Sequence, residues 1–146
     1  MLTFAPSIAA TGTFQLPMGT GAVALVDTRD VAGVAVRALT EDGHERKIYD
    51  LTGPTALTFD EIADAISAAI EKTVSYVHVP PEYARKQLMQ AGIARWLVDD
   101  MMVLCASFRE GYGAAVSPAV REVTGRAPRP FEEFARESAR VFREGR

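Results

Sequence analysis

Cysteine is almost absent from this chain of 146 residues. The single thiol, Cys105, excludes an intrachain disulfide and any metal site built from several cysteines. A chain without disulfides is typical of a reducing compartment, so we expect a cytoplasmic protein. No uninterrupted apolar run approaches the ~18 residues of a membrane-spanning helix. Residues 1–10 also lack the basic start and long apolar segment of a signal peptide, so we expect no membrane partner.

A positive charge excess is also absent. The chain has 16 basic and 19 acidic side chains, which give a net charge of −3. Arginines are frequent after residue 120, but glutamates alternate with them, which is typical of a solvated, ion-paired surface. We therefore expect no nucleic-acid partner. The two histidines, His44 and His78, have no partner at a metal-ligand spacing, so we expect no metal.

A glycine-rich phosphate-binding turn is missing as well. Gly12, Gly19 and Gly21 do not have the spacing of a GxGxxG turn. Residues 17–21 instead resemble the turn of a β-hairpin between strands at 13–16 and 23–26. The sequence therefore offers no backbone cradle for a pyrophosphate.

Two strand–turn–helix units occupy residues 22–40 and 47–70. In the first, Asp27 or Thr28 can cap a helix whose apolar positions share one face: Val31, Val34, Ala35, Ala38 and Leu39. The second has a predicted strand at 48–51 and a capping box from Thr58 to Glu61. A further strand is predicted at 74–79. This alternation predicts an α/β fold.

The second half of the chain changes character and is predicted to be helical. Helices are expected at 81–91, 94–112, 118–123 and 131–144. The longest carries an apolar stripe: Leu97, Met101, Leu104, Phe108 and Tyr112. We therefore predict two parts, an α/β region at 1–79 and a helical cap at 80–146.

Four stretches resemble the NmrA-like family, an atypical branch of the short-chain dehydrogenase/reductase superfamily. They are VDTRDVAGVAVRAL at 26–39, YDLTGPTALTFDEIADAIS at 49–67, the strand and helices at 74–102, and VTGRAPRPFEEFARE at 123–137. The resemblance covers almost the whole chain in the right order. It implies the trailing part of a Rossmann-like sheet, with few short strands, followed by a helical cap over a substrate.

The resemblance also implies NAD(P) as the cofactor of full-length members, which begin with a Rossmann half that carries a glycine-rich turn. This chain resembles only the C-terminal half, with Met1 in the middle of the fold. The Tyr-x-x-x-Lys element of the superfamily is missing, because Lys47, Lys72 and Lys86 do not lie four residues after a tyrosine. We therefore expect no cofactor for this chain alone and identify no catalytic residue.

Four residues are predicted to bind substrate: Phe4, Arg29, Tyr83 and Trp96. Arg29 follows a predicted strand, at the edge of an α/β sheet that faces a ligand crevice. Its alternative role is in capping the next helix. Tyr83 and Trp96 lie where the family closes over its substrate, and packing within the helical part is the alternative for both.

Three functional hypotheses remain open. The chain is the C-terminal portion of a quinone-reductase-like NAD(P)-dependent oxidoreductase, contributes the pocket for a small-molecule substrate, and is inactive alone. Alternatively, it is a non-catalytic nucleotide-sensing or protein-interaction module. An unpaired sheet edge would then favour a homodimer or a separately encoded Rossmann half. The third hypothesis is that the chain is the product of a truncated gene or of a wrongly assigned start, with no separate function.

Overall fold

Eight α-helices and four short strands alternate along the chain. The computed structural model describes residues 1–146. In chain order the elements are α1 (Ala5–Thr11, after a 3-10 turn at Leu2–Phe4), β1 (Thr13–Leu16), β2 (Ala22–Val23), α2 (Thr28–Thr40), β3 (Leu57–Thr58), α3 (Phe59–Ile70), β4 (Ser75–His78), α4 (Pro81–Gln90), α5 (Arg95–Arg109), α6 (Ala119–Thr124), α7 (Phe131–Glu137) and α8 (Ala139–Glu144).

The strands form two separate pairs. β1 and β4 are parallel, with Thr13 opposite Ser75 and Leu16 opposite His78. β2 and β3 are antiparallel, with Ala22 opposite Thr58. The connection between the parallel strands β1 and β4 is long and contains α2 and α3. The α/β fold class is confirmed.

The start of α3 follows directly from its sequence. The Thr58 hydroxyl accepts the Glu61 N–H at 3.2 Å, and the Glu61 carboxylate accepts the Thr58 N–H at 2.8 Å. This capping box satisfies two donors that a helix start would otherwise leave unpaired. The apolar face of α3, which includes Phe59, Ile62 and Ile66, is buried.

One apolar core joins elements from the whole length of the chain. Ile8 of α1, Phe14 of β1, Ile66 of α3, Ala135 of α7 and Phe142 of α8 belong to a single buried cluster. α7 packs on α3 and α8 packs on α1. The core includes residues from both sides of position 79, and the division into an α/β region and a helical cap stays a prediction.

Two strand predictions were wrong. β1 and β2 do not form a hairpin, because each pairs with a strand much later in the sequence. The predicted strand at 48–51 is irregular, since no other strand lies beside it to complete a hydrogen-bonded ladder. An apolar alternating sequence becomes a strand only where a partner is available.

Two of the predicted apolar helix faces are only partly covered by other elements. On α2, Val34 is buried, whereas Val31 and Leu39 are 38% and 86% exposed. On α5 the buried residues are Val98 and Met102, whereas Leu104 is 52% exposed. Periodicity identifies an apolar face but does not show whether another element covers it. No helix is long and apolar enough to cross a membrane.

The last predicted helix is two helices. α7 ends at Glu137, Ser138 departs from helical geometry with φ −90° and ψ 5°, and α8 begins at Ala139. The bend lets Phe131 and Phe142 reach the same core.

Candidate functional site

The N-terminal end of α2 carries the most ordered charged cluster. The Asp27 carboxylate caps the helix by accepting the Arg29 N–H at 2.8 Å. The Arg29 guanidinium binds both oxygens of the same carboxylate, at 2.9 and 2.7 Å. It also lies 2.8 Å from a Glu137 oxygen on α7. Arg29 is therefore held between α2 and α7.

Electrostatics fix the protonation of this cluster. The hydrogen bonds from Arg29 lower the pKa of Asp27 to about 2. The same ion pairs raise the pKa of Arg29 above its already high usual value. Asp27 is therefore ionised at neutral pH, so it cannot donate a proton to a ligand.

Asp30, one turn into α2, ties the helix to a distant loop. It is 6% exposed and accepts the backbone N–H of Arg129 at 2.7 Å. The Arg129 guanidinium pairs with its other oxygen. This arrangement fixes the chain just before α7 against α2, which closes one side of a cleft.

An apolar cleft of about 390 Å³ lies beside the cluster. It is lined by residues 1–3, 25–28, 129–131 and 134. Leu2, Leu25, Phe131 and Phe134 supply apolar walls, and the charged groups of Asp27 and Arg129 lie among them. A mainly apolar wall with a few fixed polar groups is typical of a site for a small organic molecule.

A second, more polar groove lies on the other side of Arg29. Its volume is about 620 Å³, and four arginines line it: Arg29, Arg37, Arg126 and Arg129. Three of these are paired with carboxylates, Arg29 with Asp27, Arg37 with Glu41 and Arg129 with Asp30. Most of the positive charge of this arginine groove is therefore neutralised within the chain.

The four predicted substrate residues do not converge in this structure. Arg29 lines the arginine groove and contacts Asp27 of the apolar cleft. Phe4 is half-buried, with its ring centroid 5.6 Å from that of Phe14. Tyr83 and Trp96 are 44% and 67% exposed on α4 and α5, and neither lines the two clefts. Their substrate roles stay predictions.

The apolar walls of the cleft were missed by sequence reasoning. Phe131 and Phe134 lie in the helix predicted at 131–144, and both contact the core as well as the cleft. The cleft arises because Asp30 and Arg129 hold the start of α7 beside α2, a contact between positions 99 residues apart. No local pattern could reveal it.

Other reactive side chains have structural partners. The Tyr76 hydroxyl donates to the Leu16 carbonyl at 2.9 Å and accepts the Met18 N–H at 3.1 Å, and burial raises its pKa. Burial also raises the pKa of the Cys105 thiol, which disfavours the reactive thiolate. His78 accepts the Gly19 N–H through Nδ1 at 3.0 Å. No cluster of three or more His, Cys, Asp or Glu side chains could hold a metal ion.

Comparison with known proteins identifies the relationship of the chain. The model of the NmrA-like family matches residues 3–135. The chain belongs to the NmrA-like family. It is 42% identical, over 97% of its length, to the NAD(P)H azoreductase of Xenophilus azovorans. It is 36% identical, over 97% of its length, to a (4-alkanoyl-5-oxo-2,5-dihydrofuran-3-yl)methyl phosphate reductase of Streptomyces griseus.

Solved structures of reductases have the same fold over most of this chain. The NADPH-dependent quinone oxidoreductase of Escherichia coli, in complex with NADPH, superimposes with a TM-score of 0.83 at 25% identity. The match covers 93% of this chain and 48% of that one. The chain also covers 50% of each of the two curated relatives. This NmrA-like chain therefore spans about half the length of the relatives it matches.

The helix starts that follow strands in this chain do not fit a dinucleotide of the kind named for the azoreductase and the quinone oxidoreductase. A pyrophosphate needs free backbone N–H groups at a helix start, usually after a strand and a glycine-rich turn. At the start of α2, the Asp27 carboxylate already accepts the Arg29 N–H, and Asp30 adds a second acidic side chain. α3 begins with the Thr58–Glu61 capping box, and α4 begins at Pro80 and Pro81. Acidic groups and prolines at these helix starts disfavour a bound phosphate.

Proposed function

We propose that this NmrA-like chain forms the substrate side of an NAD(P)H-dependent reductase for azo or quinone compounds. In this proposal the reducing dinucleotide is held by a second α/β half, and the chain alone is inactive. Support comes from the relatives, which are named as NAD(P)H-dependent azo and quinone reductases, and from their twofold greater length. The capped helix starts are the further reason to place the dinucleotide elsewhere.

The apolar cleft carries the proposal. Its walls at Leu2, Phe131 and Phe134 suit a flat aromatic ring system. Arg129, at the rim, and Arg29, held beside it by Asp27, present guanidinium N–H groups near the ring in fixed positions. Donors fixed in this way favour binding of a carbonyl or azo acceptor and stabilise the negative charge that develops when the acceptor is reduced, although the arginine charge itself is largely balanced by the paired carboxylates. The chain therefore binds and orients the acceptor.

Tyr83 and Trp96 are proposed as a second wall that meets the acceptor in the assembled reductase. Both are large aromatic side chains with substantial exposure, and α4 packs against α5, so they are presented by one rigid helical pair. Phe4, whose ring lies against Phe14, supports the floor behind the cleft.

Calorimetric titration of the chain with 1,4-naphthoquinone and with methyl red tests the cleft. We expect Leu2→Ala and Arg29→Met each to weaken binding by about threefold to tenfold, equivalent to about 0.7–1.4 kcal/mol. Leu39→Ala and Arg37→Met are matched controls, because neither residue lines the apolar cleft and Arg37 pairs with Glu41, outside the cleft, whereas Arg29 pairs with the cleft residue Asp27. Equal effects of test and control variants would reject this cleft as the substrate site.

NADPH titration of the same chain tests whether it binds the dinucleotide without a second half. We expect no binding at micromolar concentration, because the helices that follow strands, α2, α3 and α4, begin with acidic groups or prolines. Micromolar binding would contradict the proposal and favour the alternative of a nucleotide-sensing module.

A further inference from the structure

Residues 48–52 have the side-chain pattern of a strand but no strand beside them. Tyr49 and Leu51 are half-buried, and Gly53 is buried, whereas Ile48 and Asp50 are exposed. The burial thus alternates with a period of two over residues 48–51, as in a strand that lies on a protein surface, and Thr52 is half-buried. Ile48 is 91% exposed, although isoleucine is among the residues most often buried.

The backbone of this segment is unpaired. None of the N–H groups of residues 48–52 donates to a carbonyl of the chain, and none of their carbonyls accepts a hydrogen bond. The segment is fixed at its end, where the Gly53 N–H donates to the Ala24 carbonyl at 3.2 Å. A Cβ at Gly53 would lie 2.1 Å from the Leu25 carbonyl oxygen, so only glycine permits this approach. The segment is therefore held in place with free donors and acceptors.

The preceding helix presents an uncovered apolar face. Val31, Ala35 and Leu39 follow each other at four-residue intervals, and Ala32 and Val36 lie beside them on α2. Leu39 is 86% exposed and Val36 is 59% exposed. The opposite side of α2 packs on α6 and buries Val34. α2 thus carries apolar side chains on two sides: the side with Val34 is buried, and the side with Val36 and Leu39 is exposed.

The two features belong to one strand–helix–strand unit. The chain passes from β2 through α2 and the turn at 41–46 to residues 48–52. In such units the helix packs over the sheet that contains its flanking strands. A strand added beside residues 48–52 would extend a sheet over which the apolar face of α2 can pack. One partner could therefore cover both features.

We propose that residues 48–52 and the apolar face of α2 form one docking surface for a separate α/β domain. That domain adds a strand to residues 48–52 through main-chain hydrogen bonds and packs the apolar face of its sheet against α2. The proposal rests on the proposed function, and it identifies where the dinucleotide-binding half attaches. The relatives supply an occupant of suitable size, because half of the azoreductase length lies outside its match to this chain.

Co-expression with the unmatched half of the Xenophilus azoreductase tests the surface. We expect a one-to-one complex by light scattering, and at least about tenfold slower hydrogen exchange at residues 48–52 in the complex. Val36→Asp and Leu39→Asp should abolish the complex without unfolding this chain, because both side chains are exposed. Val103→Asp, on α5 and 67% exposed, is the matched control and should leave the complex intact.

If the separate azoreductase half is insoluble, a fusion of that half to this chain replaces co-expression. In that form, fast exchange at residues 48–52 in a folded protein would overturn the proposal. Protection of these residues in a homodimer of this chain alone would assign the surface to a second copy and also overturn it. Quinone-dependent NADPH oxidation is measured separately, so protection without activity would support the docking surface and reject the proposed function.

Discussion

Asp27 and Asp30, three positions apart at the start of α2, have different structural roles. Asp27 is a helix cap that also holds Arg29 in place. Asp30 faces the interior, where it accepts the backbone N–H of Arg129 and pairs with its guanidinium. Sequence reasoning predicted a cap or a favourable acidic residue at the helix start for this stretch. It could not predict the partner of Asp30, because Arg129 is brought to it only by the packing of α7.

Replacement of Asp30 by Ala should destabilise the chain by about 1–3 kcal/mol, because the Arg129 N–H loses its acceptor in a poorly solvated position. Asp30→Asn keeps an oxygen for that N–H and should cost less. Urea unfolding measures both. Glu133→Gln is the control, since Glu133 is the more exposed partner of the same arginine. A loss for Asp30→Ala no larger than that for the control would contradict a structural role for the buried pair.

At the scale of the element, helix starts were predictable and covered faces were not. The capping box of α3 depends on residues three positions apart, so the sequence alone identifies it. The apolar faces of α2 and α5 were recognised, but their orientation depends on which neighbours are present. The candidate site was predictable only at Arg29, which follows β2 closely in sequence. The cleft walls depend on contacts between distant segments.

Removal of the cap on α3 should be measurable in the whole chain. Thr58→Ala loses the acceptor for the Glu61 N–H and should lower the free energy of unfolding by about 1 kcal/mol. Thermal unfolding followed by circular dichroism should show the midpoint fall by about 2–8 °C. Thr55→Ala is the control, because Thr55 is exposed and makes no hydrogen bond. An unchanged midpoint for Thr58→Ala would show that packing alone sets the helix start.

At the scale of the molecule, the core determines whether the two predicted parts unfold together. Ile62 of α3 and Phe142 of α8 are both fully buried in one cluster, although 80 positions separate them. Because α7 and α8 return to α3 and α1, we expect one cooperative unfolding transition. Ile62→Val and Phe142→Leu should each destabilise that single transition, by about 0.5–1.5 kcal/mol for the isoleucine.

Two probes, one in each predicted part, give the measurement. Fluorescence of Trp96 reports on α5, and hydrogen exchange of α3 amides reports on the region before residue 80. Both should shift together in each variant, whereas the exposed control Val103→Ala should stay within about 0.5 kcal/mol of the parent. If Phe142→Leu shifted only the Trp96 signal, the helical part would be an independent unit. Joint shifts instead require that the clefts beside α2 and the helical wall at α4 and α5 share one folded scaffold, as the substrate proposal needs.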